Sequence, residues 1–336
     1  MSHEATSNNT VAKVVGFALC TLLLVLSVSA EPQQPTKTHR IALLSLGSIQ
    51  KEGIEAFREV LRSLGYVEGQ NLIIEYRLAE GKPERLADFV SELIRLKVEI
   101  IVSNSTEAIE MVRRANPSMP VVMASVSDPI GSGLVASLAK PGGNITGTTQ
   151  VSTDLAGKRL ELLKEVVPSI TRVALLVQRN HPPTQSLIPE MQKAAEELKI
   201  TVQAFEISTP DEFEGAFTAI KNTRAGAVFI QNNTIFNANV NVRRFAELAL
   251  KHRLPTTGGH PSFVIAGGLM FYGPDPLSMI RRSAYFVDKI IKGTRPADLP
   301  VEQPMKFELI INLKTAKILG LTIPQTVLYR ADKVIK

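Results

Sequence analysis

His39-Arg40-Ile41-Ala42-Leu43-Leu44-Ser45-Leu46-Gly47 is a short, nearly continuous apolar run, as a parallel strand covered on both faces requires. Behind it Ile54, Phe57, Leu61 and Leu64 recur at helical spacing, and Gly65 stands where a helix commonly stops. Residues 71–78 read as the next strand. The unit then repeats, with a helix over 83–96, a strand over 98–102, a helix over 105–115, a strand over 120–126 and a short helix over 129–138. Such alternation builds a doubly wound α/β lobe.

Pro141-Gly142-Gly143-Asn144 breaks the pattern, and beyond residues 145–151 the same grammar restarts. A strand over 172–178 precedes a helix carrying Leu187, Met191, Ala195 and Leu198, then strands over 202–207, 227–231 and 268–272. With 336 residues, 44% of them apolar, the chain has enough material for two cores. The fold class expected is α/β, two doubly wound parallel-sheet lobes, with a ligand cleft between them.

Near the start, Lys13 precedes an almost uncharged apolar run from Val14 to Val28, and Val28-Ser29-Ala30 offers the small residues a signal peptidase reads. Residues 1–30 are expected to be an export signal and 31–38 a linker; the rival reading is an uncleaved membrane anchor. Cleavage near Ala30 gives a periplasmic or otherwise extracytoplasmic protein and removes Cys20, the only cysteine, so neither disulfide nor thiol chemistry is expected. Leu19 stands before Cys20 where a lipoprotein signal wants a small residue. The net charge of +6 is spread over short pairs such as Arg113-Arg114, Arg243-Arg244 and Arg281-Arg282, which gives no support to nucleic-acid binding.

In open parallel sheets ligands sit outside the carboxyl ends of the strands. Asn104-Ser105-Thr106 follows one strand and opens a helix, where hydroxyls, N–H groups and the helix dipole can hold a carboxylate; Ser and Asn are equally good caps without a ligand. Ser125-Val126-Ser127-Asp128-Pro129 follows the next, and Asp128 suits a ligand ammonium or an N-cap before proline. Gln178-Arg179-Asn180 and Gln231-Asn232-Asn233-Thr234 are amide-rich loops that suit polar ligands or plain turns. Thr257-Gly258-Gly259-His260 reads as a loop, and Tyr272-Gly273-Pro274-Asp275 as a turn after a strand. His260 has no metal-ligating neighbours in sequence, so no metal and no cofactor is expected. Residues 47–53 are not a P-loop, and neither a dinucleotide fingerprint nor a Gly-x-Ser-x-Gly elbow occurs. The chain is read as a binder and not an enzyme.

Four stretches together resemble a known family: Leu64-Gly65-Tyr66-Val67-Glu68-Gly69-Gln70-Asn71-Leu72, Ser127-Asp128-Pro129-Ile130-Gly131-Ser132-Gly133, Leu138-Ala139-Lys140-Pro141-Gly142-Gly143-Asn144-Ile145-Thr146-Gly147, and Asn312-Leu313-Lys314-Thr315-Ala316-Lys317. They are similar to the ABC-importer solute-binding family that includes tryptophan/tyrosine-type binding proteins, over about residues 39–336. The resemblance implies a type I periplasmic-binding fold whose lobes close like a hinge on three crossings, near Thr148, Gly273 and Pro300. It implies a first lobe of 39–147 plus 276–298 and a second of 150–272 plus 303–336. By similarity, Ser48, Asn104, Ser105, Thr106, Ser125, Ser127 and Asp128 bind from the first lobe. Asn180, Asn232 and Asp275 complete the site from the second lobe and the hinge, and the strand-end reading adds Gln178, His260 and Tyr272 to the set.

The ligand implied is a small polar molecule, an amino acid or related compound, with Asp128 or Asp275 on its ammonium. The chain has no Trp to stack an aromatic ligand, which leaves Phe236, Phe271 and Tyr272 as ring faces. The implied partner is an ABC permease in the membrane, served by a monomer. Two alternatives stand beside import: a sensor that reports the ligand to a membrane receptor, and a cleft enzyme using Asp128 and His260 as acid and base.

Overall fold

A computed structural model describes residues 37–47 and 49–336. The export-signal reading and Ser48 lie outside the described residues.

The first sheet has five parallel strands, β1 (His39–Ser45), β2 (Leu72–Leu78), β3 (Ile100–Ser103), β4 (Val121–Val126) and β5 (Ile145–Thr149), in the order β2-β1-β3-β4-β5. The two-residue period of β1 decides what covers each face. Ile41 and Leu43 pack on Ala56, Phe57 and Leu61 of α1 (Lys51–Ser63). Ala42 and Leu44 face Leu86, Val90 and Leu93 of α2 (Arg85–Arg95) and Ala108, Ile109 and Val112 of α3 (Thr106–Ala115).

β4 and β5 slip register between Met123 and Val126, a bulge in which Ser125 takes φ +70°. Thr148 Oγ1 accepts the Ser125 N–H at 2.9 Å and Thr149 Oγ1 donates to the Val126 carbonyl at 2.9 Å, so hydroxyls replace the lost ladder bonds. Gly147 opposes the bulge at φ +128°, where a side-chain Cβ would lie 2.3 Å from the Met123 carbonyl oxygen.

The second sheet has seven strands: β6 (Arg172–Gln178), β7 (Thr201–Ile207), β8 (Ala227–Ile230), β9 (Thr256–Gly258), β10 (Met270–Pro274), β11 (Phe307–Asn312) and β12 (Lys333–Ile335), in the order β12-β11-β10-β9-β8-β6-β7. Val173, Leu175 and Val177 pack on α4 (Ala156–Val166) and α5 (Pro182–Glu197), while Ala174 and Leu176 share a core with Phe213 and Phe217 of α6 (Phe213–Asn222) and Phe245 of α7 (Asn239–Lys251). Every pairing is parallel except β10 with β11. The chain leaves this sheet at Pro274 for α9 (Pro276–Ile291) and re-enters from that same end, so β11 must run opposite to β10.

Helix α9 covers the first sheet, where Ile280, Ala284, Phe286 and Val287 join the core of Ile41 and Phe57. The chain therefore passes between the sheets after β5, after β10 and before β11. The first and last passages are bound together: Thr149 N–H donates to the Glu302 carbonyl at 3.0 Å, and Glu302 N–H donates to the Gly147 carbonyl at 2.9 Å. Arg282 of α9 grips the Glu302 carboxylate at 2.6 and 2.7 Å.

Three local expectations are corrected. Residues 129–133 form consecutive turns and 134–138 bends and irregular chain, not a helix, because Gly131 and Gly133 weaken helix propensity and Gly133 turns left-handed at φ +64°. Of residues 257–260, read as a loop, Thr257 and Gly258 belong to β9, and β10 runs on through Pro274 before Asp275 caps α9. Among the described residues no helix is long and apolar enough to cross a membrane.

Candidate functional site

The carboxyl ends of both sheets face each other across a seam. On the first lobe, Ser105 caps α3, accepting the Ala108 N–H at 3.3 Å and donating to Glu107 Oε2 at 3.0 Å. The other Glu107 oxygen receives His181 Nδ1–H at 2.7 Å from the second lobe, just before α5. Burial pushes the Glu107 carboxyl up, but the bond and charge of His181, aided by Ser105 and the residue's own N–H, outweigh it and hold the carboxyl below the usual range. His181 is 4% exposed, so this contact between lobes is withdrawn from water.

A second bridge is built of amides. Gln150, in the passage after β5, donates from Nε2 to the Ser125 carbonyl at 3.1 Å and to Ser127 Oγ at 3.3 Å, while its Oε1 receives Asn232 Nδ2–H at 2.5 Å. Ser127 Oγ donates across the seam to the Asn232 carbonyl at 3.2 Å, and Asn237 Nδ2 donates to Asn232 Oδ1 at 2.5 Å. Ser127, Asn232 and Gln150 thus form one connected network joining two lobes and a hinge strand.

Asp128 accepts the Gly131 N–H at 2.9 Å, beside Ser186 of α5. Burial, then the charges of Asp128 and Glu190, push the Asp154 carboxyl up, so negative potential gathers on this side of the seam. His260 caps the short helix α8 (Pro261–Ile265), with Nδ1 2.7 Å from Ser262 Oγ; burial lowers its imidazole to about 4 and keeps it neutral. The Asp128 and His260 bonds therefore run to separate partners.

The remaining expected residues fall as follows. Thr106 is buried at the start of α3, and Asn104 carries its Oδ1 buried and unpaired. Gln178 ends β6 with a buried, unpaired Oε1, whereas Asn180 is exposed in a left-handed turn at φ +58°. Asp275 spends both carboxylate oxygens on Leu277 and Ser278 N–H groups at 3.0 and 3.1 Å. Tyr272 stacks on Phe307 with centroids 6.0 Å apart, while Phe236 and Phe271 are core residues. Glu107, His181 and Gln150 were not anticipated.

Buried side-chain atoms without a hydrogen-bond partner concentrate at this edge: Asn104 Oδ1, Gln178 Oε1, His181 Nε2, Asn233 Nδ2, Thr234 Oγ1 and Thr257 Oγ1. Such atoms are costly unless something supplies the missing bonds. Two surface cavities, of about 520 Å³ beside Arg113 and Pro141 and about 300 Å³ beside Arg58 and Tyr66, lie off the seam on the first lobe. Among the described residues no group of three metal-ligating side chains forms.

This architecture is similar to that of known proteins. An ABC domain from Streptococcus pneumonia in complex with L-Trp superposes with a TM-score of 0.83 at 25% identity, covering 89% of this chain and 100% of that one. The ligand-free, open structure of a substrate binding protein with adhesive properties from Clostridium difficile gives 0.64 at 21% identity, over 89% and 100%. A tyrosine-binding protein of Clostridioides difficile (strain R20291) is 24% identical over 268 residues, 80% of this chain and 76% of that one. Residues 43–335 match the family described as ABC transporter substrate binding protein, a family of extracytoplasmic binding proteins and not of enzymes. The chain belongs to that family.

Proposed function

We propose that this protein captures an amino acid or a closely related small polar molecule between its lobes and delivers it to an ABC permease. The observation that carries the reading is the row of unpaired buried polar atoms, Asn104 Oδ1, Gln178 Oε1, His181 Nε2 and Asn233 Nδ2, along the carboxyl edges of two sheets. Donors and acceptors are both represented, as recognition of a polar ligand requires. The relatives that bind tyrosine and L-Trp support an amino-acid ligand. The acidic side of the seam at Asp128, Asp154 and Glu190 suits its ammonium.

In this reading the first lobe comprises 39–147 and 276–298 and the second 150–272 and 303–336. The export signal is cleaved near Ala30, and the protein works as a monomer. A thermal-shift screen of the purified protein against amino acids, nucleosides, sugars and aromatic acids tests it. A ligand bound only by the folded state adds about 2.7 kcal/mol at 100 times its dissociation constant. Saturable stabilisation by one amino acid is expected, and stabilisation by sugars or nucleosides alone overturns the assignment.

A further inference from the structure

Arg159 of α4 is a fully buried cation, 1% exposed. Its Nε donates to the Tyr272 carbonyl at 2.6 Å, and its Nη1 donates to the Ser152 carbonyl at 3.3 Å and the Ser152 hydroxyl at 2.9 Å. Its Nη2 is buried and has no partner. Several other arginines pair with carboxylates, among them Arg282 with Glu302, Arg77 with Glu92 and Arg58 with Glu68. Arg159 has only neutral oxygens. Burial lowers its guanidinium to about 10, so it stays charged at any working pH. A buried charge without an opposite charge is unfavourable unless something answers it.

Its position indicates what answers it. Ser152 lies in the passage that follows β5, and Tyr272 and Gly273 lie in β10 just before Pro274, where the chain departs for α9. The guanidinium thus sits beside the hinge, tied to the first passage and to the end of β10 that leads into the second, at the carboxyl edge of the second sheet. A Cβ at position 273 would come within 3.0 Å of Nη2 and 2.9 Å of the Phe271 ring, so only glycine lets the end of β10 pass this close to the guanidinium.

We propose that Arg159 is the receptor for an anionic group of the ligand, a carboxylate, which accepts from Nη2 and balances the buried charge at the hinge. The proposal rests on the binding reading above and deepens it, because it assigns the carboxylate to the hinge cation and not to the Asn104-Ser105-Thr106 cap. An amino acid then lies with its carboxylate at Arg159 and its ammonium toward the Asp128 side. Binding the anion also draws on the first passage and the end of β10 that Arg159 holds, which links ligand charge to hinge closure.

Calorimetric titration of the wild type, R159K and R159Q with L-tyrosine and L-tyrosinamide tests this. The amide keeps the ring and ammonium but loses the charged carboxylate. Wild type is expected to prefer tyrosine by about 10- to 100-fold, as loss of one charge-assisted contact predicts. The preference should shrink in R159K and vanish in R159Q; an equal preference in wild type and R159Q overturns the assignment. If neither compound binds the wild type, the tyrosine reading fails separately, and melting temperatures with benzoate and acetate against benzamide and acetamide judge Arg159. Stabilisation of the wild type by the carboxylates only, weakened in R159K, supports the proposal. An equal response to acids and amides overturns it.

Discussion

Glu107 and His181 show how much one pair of residues does here. The carboxylate comes from the first turn of α3, the imidazole from the residue before α5, and they meet at 2.7 Å across the seam. Because the Glu107 carboxyl is held below its usual range, the stabilisation it gives is complete above the ordinary carboxylate value and is lost as pH falls through the depressed one. Ligand affinity measured against pH should therefore hold through neutral pH and drop in acid, and E107Q should flatten that drop; an identical acid limb in the variant would sink the idea. Replacing His181 with Ala leaves the part-buried Glu107 carboxylate without its partner across the seam and with Ser105 alone among side chains, which should cost about 2 kcal/mol, or roughly 30-fold in affinity. Neither residue was legible as a site. Glu107 reads as an ordinary first-turn acid and His181 as a residue before Pro182-Pro183, and only the approach of two lobes 74 positions apart in the chain gives them a joint role. The strand-end positions of Ser127, Asn232 and Gln178 were legible, because apolar runs mark where the parallel strands stop. Gln150 lies in a passage between lobes and follows no such rule.

At the scale of elements, three of the four family-like stretches carry structural devices. In the first, Asn71 locks the loop after α1, its Oδ1 accepting the Val67 N–H at 2.7 Å and its Nδ2 donating to the Gly65 carbonyl at 2.9 Å. Tyr66 of that loop donates its hydroxyl to buried Asp288 of α9 at 3.0 Å, fastening the returning helix to the first lobe. Burial, then the Asp288 bond and charge, push the Tyr66 hydroxyl up to about 12. Tyr66→Phe should cost about 1–2 kcal/mol by leaving Asp288 with Lys292 alone, read as a lowered urea midpoint with an unchanged slope. Gly147→Ala should cost more, about 3 kcal/mol, because a Cβ at φ +128° meets the Met123 carbonyl; a midpoint within error of wild type would refute that account. In the last stretch, Asn312 caps α10 (Leu313–Leu319) through the Thr315 N–H at 3.0 Å and reaches the Val264 carbonyl at 3.0 Å. The alternation of strands and helices was legible because burial on two faces imposes apolar runs and helical spacing imposes stripes. The turns over 129–133 were not, since glycine's conformational freedom is decided by what lies nearby, and the antiparallel β11 follows from a return path that local periodicity does not encode.

For the whole molecule, the question is what limits closure. Gly47 ends the passage from β1 toward α1, and a Cβ there would lie 2.5 Å from the Thr234 carbonyl oxygen of the opposite lobe. That carbonyl belongs to backbone and cannot swing aside as a side chain would. Within the first lobe the added methyl meets nothing as close, so Gly47→Ala should leave each lobe's packing intact and penalise only the closed arrangement. The apparent dissociation constant of a ligand that needs the closed state rises by the factor by which that state is depopulated. Gly47→Ala is therefore expected to weaken binding about tenfold or more, to keep the ligand-free melting temperature within about 2 °C of wild type, and to blunt the ligand-induced fall in radius of gyration measured by small-angle scattering. Loss of ligand-free stability instead would mean that Gly47 serves the fold of its own lobe. Unchanged affinity and an unchanged contraction would mean that Thr234 does not approach Gly47 when ligand is held, and the seam described by Glu107–His181 and Ser127–Asn232 would then have to close along a different line.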